Sequence, residues 1–244
     1  MKINPKKIIF LDEVWALIPA KLNSRGIKRK NLKKIKKKTL LQYSVETAKL
    51  CNNINKVYVS TESNLIKNLS IKYGALIEKL RNKKNAKNNS TDLDVLRDFI
   101  YSVNEKKLPK IIVYLRPTTP FRNPRIIDNA IKSFIKLKNY DSMVSIEEMP
   151  ETIFKKFLIK KIKSKKYLCP ILKKMNLDDA NKPRQFFNKS YSGNGYFDII
   201  KTKNILKGYM IGKKCYPLIT NSSIDINNYD DLKYAHFIKS GFNL

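Results

Sequence analysis

Cysteine is nearly missing from this chain of 244 residues: Cys51, Cys169 and Cys215 stand far apart, odd in number and without a CxxC pair. Neither a disulfide framework nor a zinc site is supported by that spacing, and a reducing cytoplasm is the expected home. Histidine occurs once, as His236. It has no partner nearby in the sequence and receives no catalytic role. Long apolar runs are also lacking, since the opening MKINPKKIIFLDEV has only a brief one before Asp12 and Glu13. That falls short of a signal peptide or a membrane span, and the glycosylation-like triplets at Asn88, Asn89, Asn188 and Asn221 then carry little meaning. No internal repeat is visible.

Acidic residues are few, 20 against 51 lysines and arginines, for a formal charge of +31. Almost all of the excess is lysine, alongside abundant isoleucine and asparagine, a pattern that fits drift in a genome poor in G and C. The competing reading is attraction to a polyanion or an anionic membrane surface. A nucleic-acid binder would more typically gather arginine and aromatics on one basic face, whereas here the lysines are scattered, as in Lys33 to Lys38, Lys155 to Lys166 and Lys213 to Lys214. No nucleic-acid partner is expected.

Short apolar runs alternate with amphipathic segments over the first 148 residues, the signature of an α/β fold with a mostly parallel sheet and helices on its faces. Strands are predicted at Val14 to Ile18, Lys56 to Thr61, Ala75 to Leu80, Lys110 to Leu115 and Ser142 to Ile146. Between them, helical spacing is read from about Thr39, over Glu62 to Tyr73, through Leu93, Leu96, Ile100 and Val103, and over Pro124 to Lys136. From about Met149 to Tyr191 a lysine-rich segment with Pro170 and Pro183 breaks the pattern and reads as an inserted subdomain, 149–191, in a single domain of 244 residues. Strands at Gly195 to Ile200 and Cys215 to Ile219 and a closing helix near Tyr229 to Lys239 follow.

The segment IPAKLNSRGIKRKN, residues 18–31, puts several cations and Gly26 in a turn after the first strand. Backbone N–H groups of such a turn face the crevice beyond the carboxyl edge of the sheet. Gly26 allows close backbone approach, and Lys21, Arg25, Lys28, Arg29 and Lys30 offer charge to a polyphosphate. A solvated basic turn is the alternative.

This loop, with KVYVSTES at 56–63, LRPTTPFR at 115–122, YDSMVSIEEMP at 140–150 and SSIDINNYDDL at 222–232, resembles the acylneuraminate cytidylyltransferase family, enzymes that make CMP-activated nonulosonic acids. The resemblance spans most of the chain in the family's order. It implies a Rossmann-like nucleotide-diphospho-sugar transferase fold, with 149–191 as a dimerisation subdomain of a homodimer. It also implies CTP and a 2-keto sugar acid of the sialic, legionaminic or pseudaminic type as substrates, with Mg2+.

By matching position, Lys21 and Arg25 inherit the grip on the triphosphate together with Ser24, Gly26 and Asn31, Lys21 standing where the family has arginine. Arg81 and Asp92 are implied near the nucleotide, with Lys87 or Asn88 where the family shows an acid. Arg116 replaces a glutamine that helps fix the sugar; it either holds the acceptor's carboxylate or pairs with a structural acid. Arg122 matches a loop arginine. Arg184, Gln185 and Asn194 match positions near the sugar pocket and the dimer contact. The family's two metal-binding aspartates correspond to Asp225 and Asn227, so one negative charge is lost while alternation keeps both side chains on one side. Asp230 and Asp231 suit the first turn of the last helix. No general base is assigned. Two other readings stay open: a family-fold nucleotide binder without turnover, and a basic protein that binds polyanions.

Overall fold

A computed structural model describes residues 8–103, 107–221 and 223–240; Ser222, at the start of the last motif, lies outside them. The chain divides into two compact units, one of residues 1–145 and 194–244, the other of residues 146–193.

In chain order, β1 is Ile9–Pro19, followed by the short β2 (Lys34–Ile35) and β3 (Lys38–Thr39), α1 (Leu40–Lys49), β4 (Lys56–Ser60) and α2 (Asn64–Lys72). Then come α3 (Asp92–Ser102), β5 (Lys107–Tyr114), α4 (Pro124–Lys136), β6 (Ser142–Glu148), β7 (Phe157–Ile162) and β8 (Lys165–Pro170). The chain closes with β9 (Tyr191–Lys201), α5 (Thr202–Leu206), β10 (Cys215–Ile219) and α6 (Tyr229–Lys239). Six strands form one sheet in the order β10-β6-β9-β5-β1-β4. β1 runs parallel to both β4 and β5, while β9 joins antiparallel to β5. The fold is α/β and Rossmann-like.

Alternation along the strands explains why helices cover both faces. Val14, Ala16 and Ile18 of β1 join Val57, Val59, Ile111 and Val113 in a core with Leu41 and Val45 of α1, Ile66 of α2 and Ile127, Ile131 and Phe134 of α4. Trp15, Leu17, Tyr58, Ile112 and Tyr114 point the other way, onto Leu96, Phe99 and Ile100 of α3 and Ile205 of α5. Each such side chain, fully buried, contributes about 1.5–3 kcal/mol of transfer free energy. Caps fix the helix starts: Thr39 and Ser63 accept from backbone N–H groups, Pro124 opens α4, and Thr91 forms a capping box with Asp94.

One reading needs correction. The stretch from Ala75 to Leu80 is not a strand: Ala75 and Ile77 do face the core, but only Leu76 bridges to Tyr58 and no further ladder pairing continues it. The lysine tract at 33–38 holds a two-residue hairpin, β2 against β3, turned by Lys36 at φ 52°. Ile35, fully buried, anchors it in a third small core with Ile27, Leu40, Ile226 and Ala235.

In the smaller unit, β7 and β8 pair antiparallel with Ile159 opposite Leu168 and Lys161 opposite Lys166, a hairpin the sequence pattern did not announce. Phe154 and Phe187 stack at 5.1 Å between ring centroids, and Glu148 accepts from Arg184 at 3.2 Å and Lys189 at 2.8 Å.

Candidate active site

β1, β4 and β5 are parallel, so the loops that leave their carboxyl ends meet on one side of the sheet, and a cleft of about 390 Å³ opens there. Lys21, Ser24, Arg25, Gly26, Lys30 and Asn31 enter it from the loop after β1. Arg81, Lys87, Asn88 and Asp92 come from the segment between α2 and α3, Arg116 to Thr118 from the end of β5, and Asn227 from the approach to α6. Nine expected residues are thus brought together: Lys21, Ser24, Arg25, Gly26, Asn31, Arg81, Asp92, Arg116 and Asn227. Asp225 stands beside them, its Oδ2 accepting from Asn227 Nδ2 at 2.9 Å.

Three expected residues lie elsewhere. Asn194 is buried, and its amide donates to Thr220 at 2.6 Å and accepts from Tyr196 N at 3.2 Å. Arg184 and Gln185 belong to the smaller unit, where they line a hollow with Glu148, Met149 and Thr152.

The basic loop is shaped from within. Asn31 Nδ2 donates to the Lys21 carbonyl at 2.8 Å, and Arg29 adopts a left-handed conformation, φ 53°, uncommon outside glycine. Glu62 ties the loop to the neighbouring strand end: it accepts from Leu22 N at 2.7 Å and pairs with Arg81 Nη2 at 3.1 Å. Arg81 is 5% exposed, yet its Nε meets no acceptor among the described residues. A buried donor left unpaired costs about 1–3 kcal/mol, so an acceptor on a bound ligand would be favoured there. Gly26 serves an approach of the chain to itself: a Cβ at this position would lie 2.3 Å from the carbonyl oxygen of Asn227.

A half-buried ionic ladder forms the floor, with Asp198 its buried end. Arg116 donates through Nε and Nη2 to Asp92 Oδ2, at 3.2 and 2.7 Å, and through Nη1 to Asp198 Oδ2 at 2.7 Å, while Tyr114 Oη donates to Asp92 Oδ1 at 2.9 Å. Burial alone would lower the Arg116 guanidinium, but Asp198 and Asp92 outweigh it and hold it above its usual value. Burial raises the Asp198 carboxyl against the pull of Arg116, and it raises the Tyr114 phenol. Of the alternatives for Arg116, pairing with structural acids is what the fold contains. Arg122, fully enclosed, donates to the carbonyls of Arg116, Gly195 and Tyr196 and to Ser44 Oγ, bracing the loop after β5. Burial pushes its guanidinium down.

The segment before α6 closes the cleft. Ile226, fully buried, donates its N–H to the Thr118 carbonyl at 2.8 Å, leaving Asp225 and Asn227 exposed on either side of it. Lys30 Nζ donates to the Ile226 carbonyl at 2.8 Å and to Asn227 Oδ1 at 3.4 Å. Burial lowers the Lys30 ammonium, with Asp225 and Asp231 opposing. Asp231 sits in the first turn of α6 as expected, capping Asn227 N and Asn228 N. Among the described residues no group of three or more His, Cys, Asp or Glu is placed to hold a metal ion.

Four residues of this site were not singled out from sequence: Lys30, as distinct from its charged neighbours, Glu62, Tyr114 and Asp198. The acid of Asp198 within the apolar run from Tyr196 to Ile200 was a readable signal. Glu62 and Lys30 lie inside two of the matched motifs, KVYVSTES and IPAKLNSRGIKRKN, but nothing there distinguishes either from its neighbours.

A family model described as cytidylyltransferase matches residues 15–190. The N-acylneuraminate cytidylyltransferase A of Danio rerio is 29% identical over 88% of this chain, and the match takes in 48% of that protein. The CMP-N,N'-diacetyllegionaminic acid synthase of Legionella pneumophila is 27% identical over 49% of this chain and 52% of its own length, so the chain spans about half of these relatives. Post-translational flagellin modification protein B of Campylobacter coli is 24% identical over 96% of this chain and 98% of that one. A solved CMP:2-keto-3-deoxy-manno-octonic acid synthetase with CTP superposes with TM-score 0.65 at 13% identity, covering 93% of this chain and 98% of the other, a likeness of fold.

Proposed function

The chain belongs to the cytidylyltransferase family, and on that premise we propose that it joins CMP from CTP to a 2-keto nonulosonic sugar acid and releases pyrophosphate. The observation that carries this reading is the convergence of Lys21, Ser24, Arg25, Arg81 and Asn227 on one cleft at the carboxyl edge of the sheet. The acceptor's anomeric hydroxyl oxygen forms the new bond to the α-phosphorus as the bond to the pyrophosphate oxygen breaks. Its proton passes to solvent, since no side chain here is assigned as base. Lys21 and Arg25 neutralise the charge that builds on the leaving phosphates, and preorganised donors of this kind are each worth about 3–4 kcal/mol in the transition state. Lys21 is a point charge without a planar fork, so Arg25 carries the bidentate contact. Ser24 and Asn31 hold the loop around the phosphates, and Arg81, which lines the cleft, is assigned to the nucleotide.

A magnesium ion fits the donor set through Asp225, whose exposed carboxylate supplies the hard oxygen such ions prefer beside phosphate oxygens and water. When bound, it supplies further charge neutralisation at the triphosphate. Arg184 and Gln185 line the hollow of the smaller unit and are given no role in the cleft. The working form is a homodimer in which the 146–193 unit makes the contact, and three unpaired cysteines suit a reducing cytoplasm. No helix among the described residues is long and apolar enough to cross a membrane.

The test is pyrophosphate release from CTP, with Mg2+, across a panel of nonulosonic acids. One acceptor should turn over, and Lys21→Met with Arg25→Met should each cut kcat/KM by about 100-fold or more. CTP binding without turnover of any acceptor would reject the transferase reading in favour of a nucleotide binder.

A further inference from the structure

Asn227 sits between two groups of opposite demand. Its Nδ2 donates to Asp225 Oδ2 at 2.9 Å, and its Oδ1 accepts from Lys30 Nζ at 3.4 Å. The ammonium is anchored independently of that amide, through its 2.8 Å bond to the Ile226 carbonyl. The backbone of Asn227 is pinned as well, its N–H on Asp231 Oδ2 at 2.7 Å and its carbonyl oxygen packed over Gly26. Those bonds fix where the side chain starts, and its two hydrogen bonds, to Asp225 and Lys30, set which end of the amide faces each.

An ammonium has three donors and no acceptor, so it tolerates only the oxygen end of a neighbouring amide. With Oδ1 committed to Lys30, the end of Asn227 facing Asp225 is the nitrogen, which carries hydrogens and offers a metal no lone pair. Turning the amide over would set its N–H groups against the ammonium. We infer that Asn227 is not an ion ligand in this chain: its amide bridges the Asp225 carboxylate and the Lys30 ammonium, and Asp225 alone of the two takes the ion. A carboxylate at 227 would behave differently: it accepts at both oxygens, so one could serve Lys30 while the other faced an ion beside Asp225.

This inference rests on the metal-assisted reading above, and its test keeps the two apart. Mn2+ binding to the full chain, followed by loss of the free-ion EPR signal, is measured with CTP present and corrected for the Mn2+ that CTP takes up alone. Asp225→Asn should weaken binding about tenfold or more, since it removes the one carboxylate assigned to the ion. Asn227→Ala should change it by less than about twofold, and Asn227→Asp should tighten it about tenfold. In a Lys30→Met background the amide oxygen is released, and truncating Asn227 there should weaken Mn2+ binding severalfold. If Asn227→Ala alone costs as much as Asp225→Asn, the inference is overturned while the metal assignment stands. If Asp225→Asn changes nothing, both fall.

Discussion

Arg116 answers two carboxylates at once, Asp92 and Asp198, each at 2.7 Å, with its side chain 29% exposed and that of Asp198 only 7%. Removing one partner from a buried ion pair typically costs about 3–5 kcal/mol, and the partial exposure of Arg116 reduces this to about 2–3 kcal/mol. Asp198 is already raised by burial, and Arg116 is what opposes the rise. Arg116→Gln leaves burial unopposed, so the folded pKa climbs further. A carboxyl raised in the fold loses stability as pH climbs from its unfolded value, about 3.9, towards the folded one. Thermal melts of Arg116→Gln should therefore show a larger loss at pH 7.5 than at pH 5, and adding Asp198→Asn should recover most of it. Equal losses at both pH values would sink the assignment. The sequence offered an arginine in place of a glutamine and two uses for it. What it could not convey was that Asp198, 82 positions away, arrives beside it through the antiparallel pairing of β9 with β5.

At the scale of elements, the loop after β1 and the segment before α6 are one structure, although nearly 200 residues separate Lys30 from Ile226. Gly26 is where they touch, since an added Cβ would lie 2.3 Å from the Asn227 carbonyl. The obstacle is backbone, which cannot rotate aside like a flexible side chain. Gly26→Ala should thus displace residues 225–227, cost about 1–3 kcal/mol as overpacking does, and weaken CTP binding by moving Asp225 with the segment. Calorimetric melts and CTP titrations check both effects; an unchanged melt and affinity would mean that the segment yields freely. Most elements were legible for physical reasons: α4 because Pro124 and five spaced apolar residues mark it, α6 because Asp230 and Asp231 suit its first turn. The failures have causes too. Ala75 to Leu80 has strand-like composition but only Leu76 bonded to β4, while β2 and β3 hide in a lysine tract whose one informative residue, Ile35, is buried by α6 and Ile226. A polar tract gives no periodicity from which to read such a hairpin.

For the whole molecule, the charge of +31 and the apolar hairpin of the smaller unit pull in opposite directions. All six residues of β7 are exposed in a single copy, Ile159 at 69% and Ile162 at 58%, with Leu168 of β8 at 51% opposite Ile159. A two-stranded hairpin is marginal in water without a partner surface, and contiguous exposed apolar side chains mark a contact. A second copy supplies that cover in the proposed dimer, but it brings a charge of the same sign and size. Repulsion between the copies is long-ranged in dilute buffer and fades as the screening length shrinks from about 10 Å at 0.1 M salt to about 3 Å at 1 M, whereas apolar burial is not screened. Sedimentation equilibrium should therefore find tighter self-association at 0.5 M than at 0.05 M sodium chloride, and Ile159→Glu should shift the chain to monomer at both. Binding to a polyanion has the reverse dependence, because each neutralised phosphate releases a counterion that added salt drives back. A chain whose dimer weakened with salt, and which held nucleic acid at physiological ionic strength, would have its lysines selected for attraction. One whose dimer strengthened with salt would carry its lysines as a burden that the hairpin contact has to overcome.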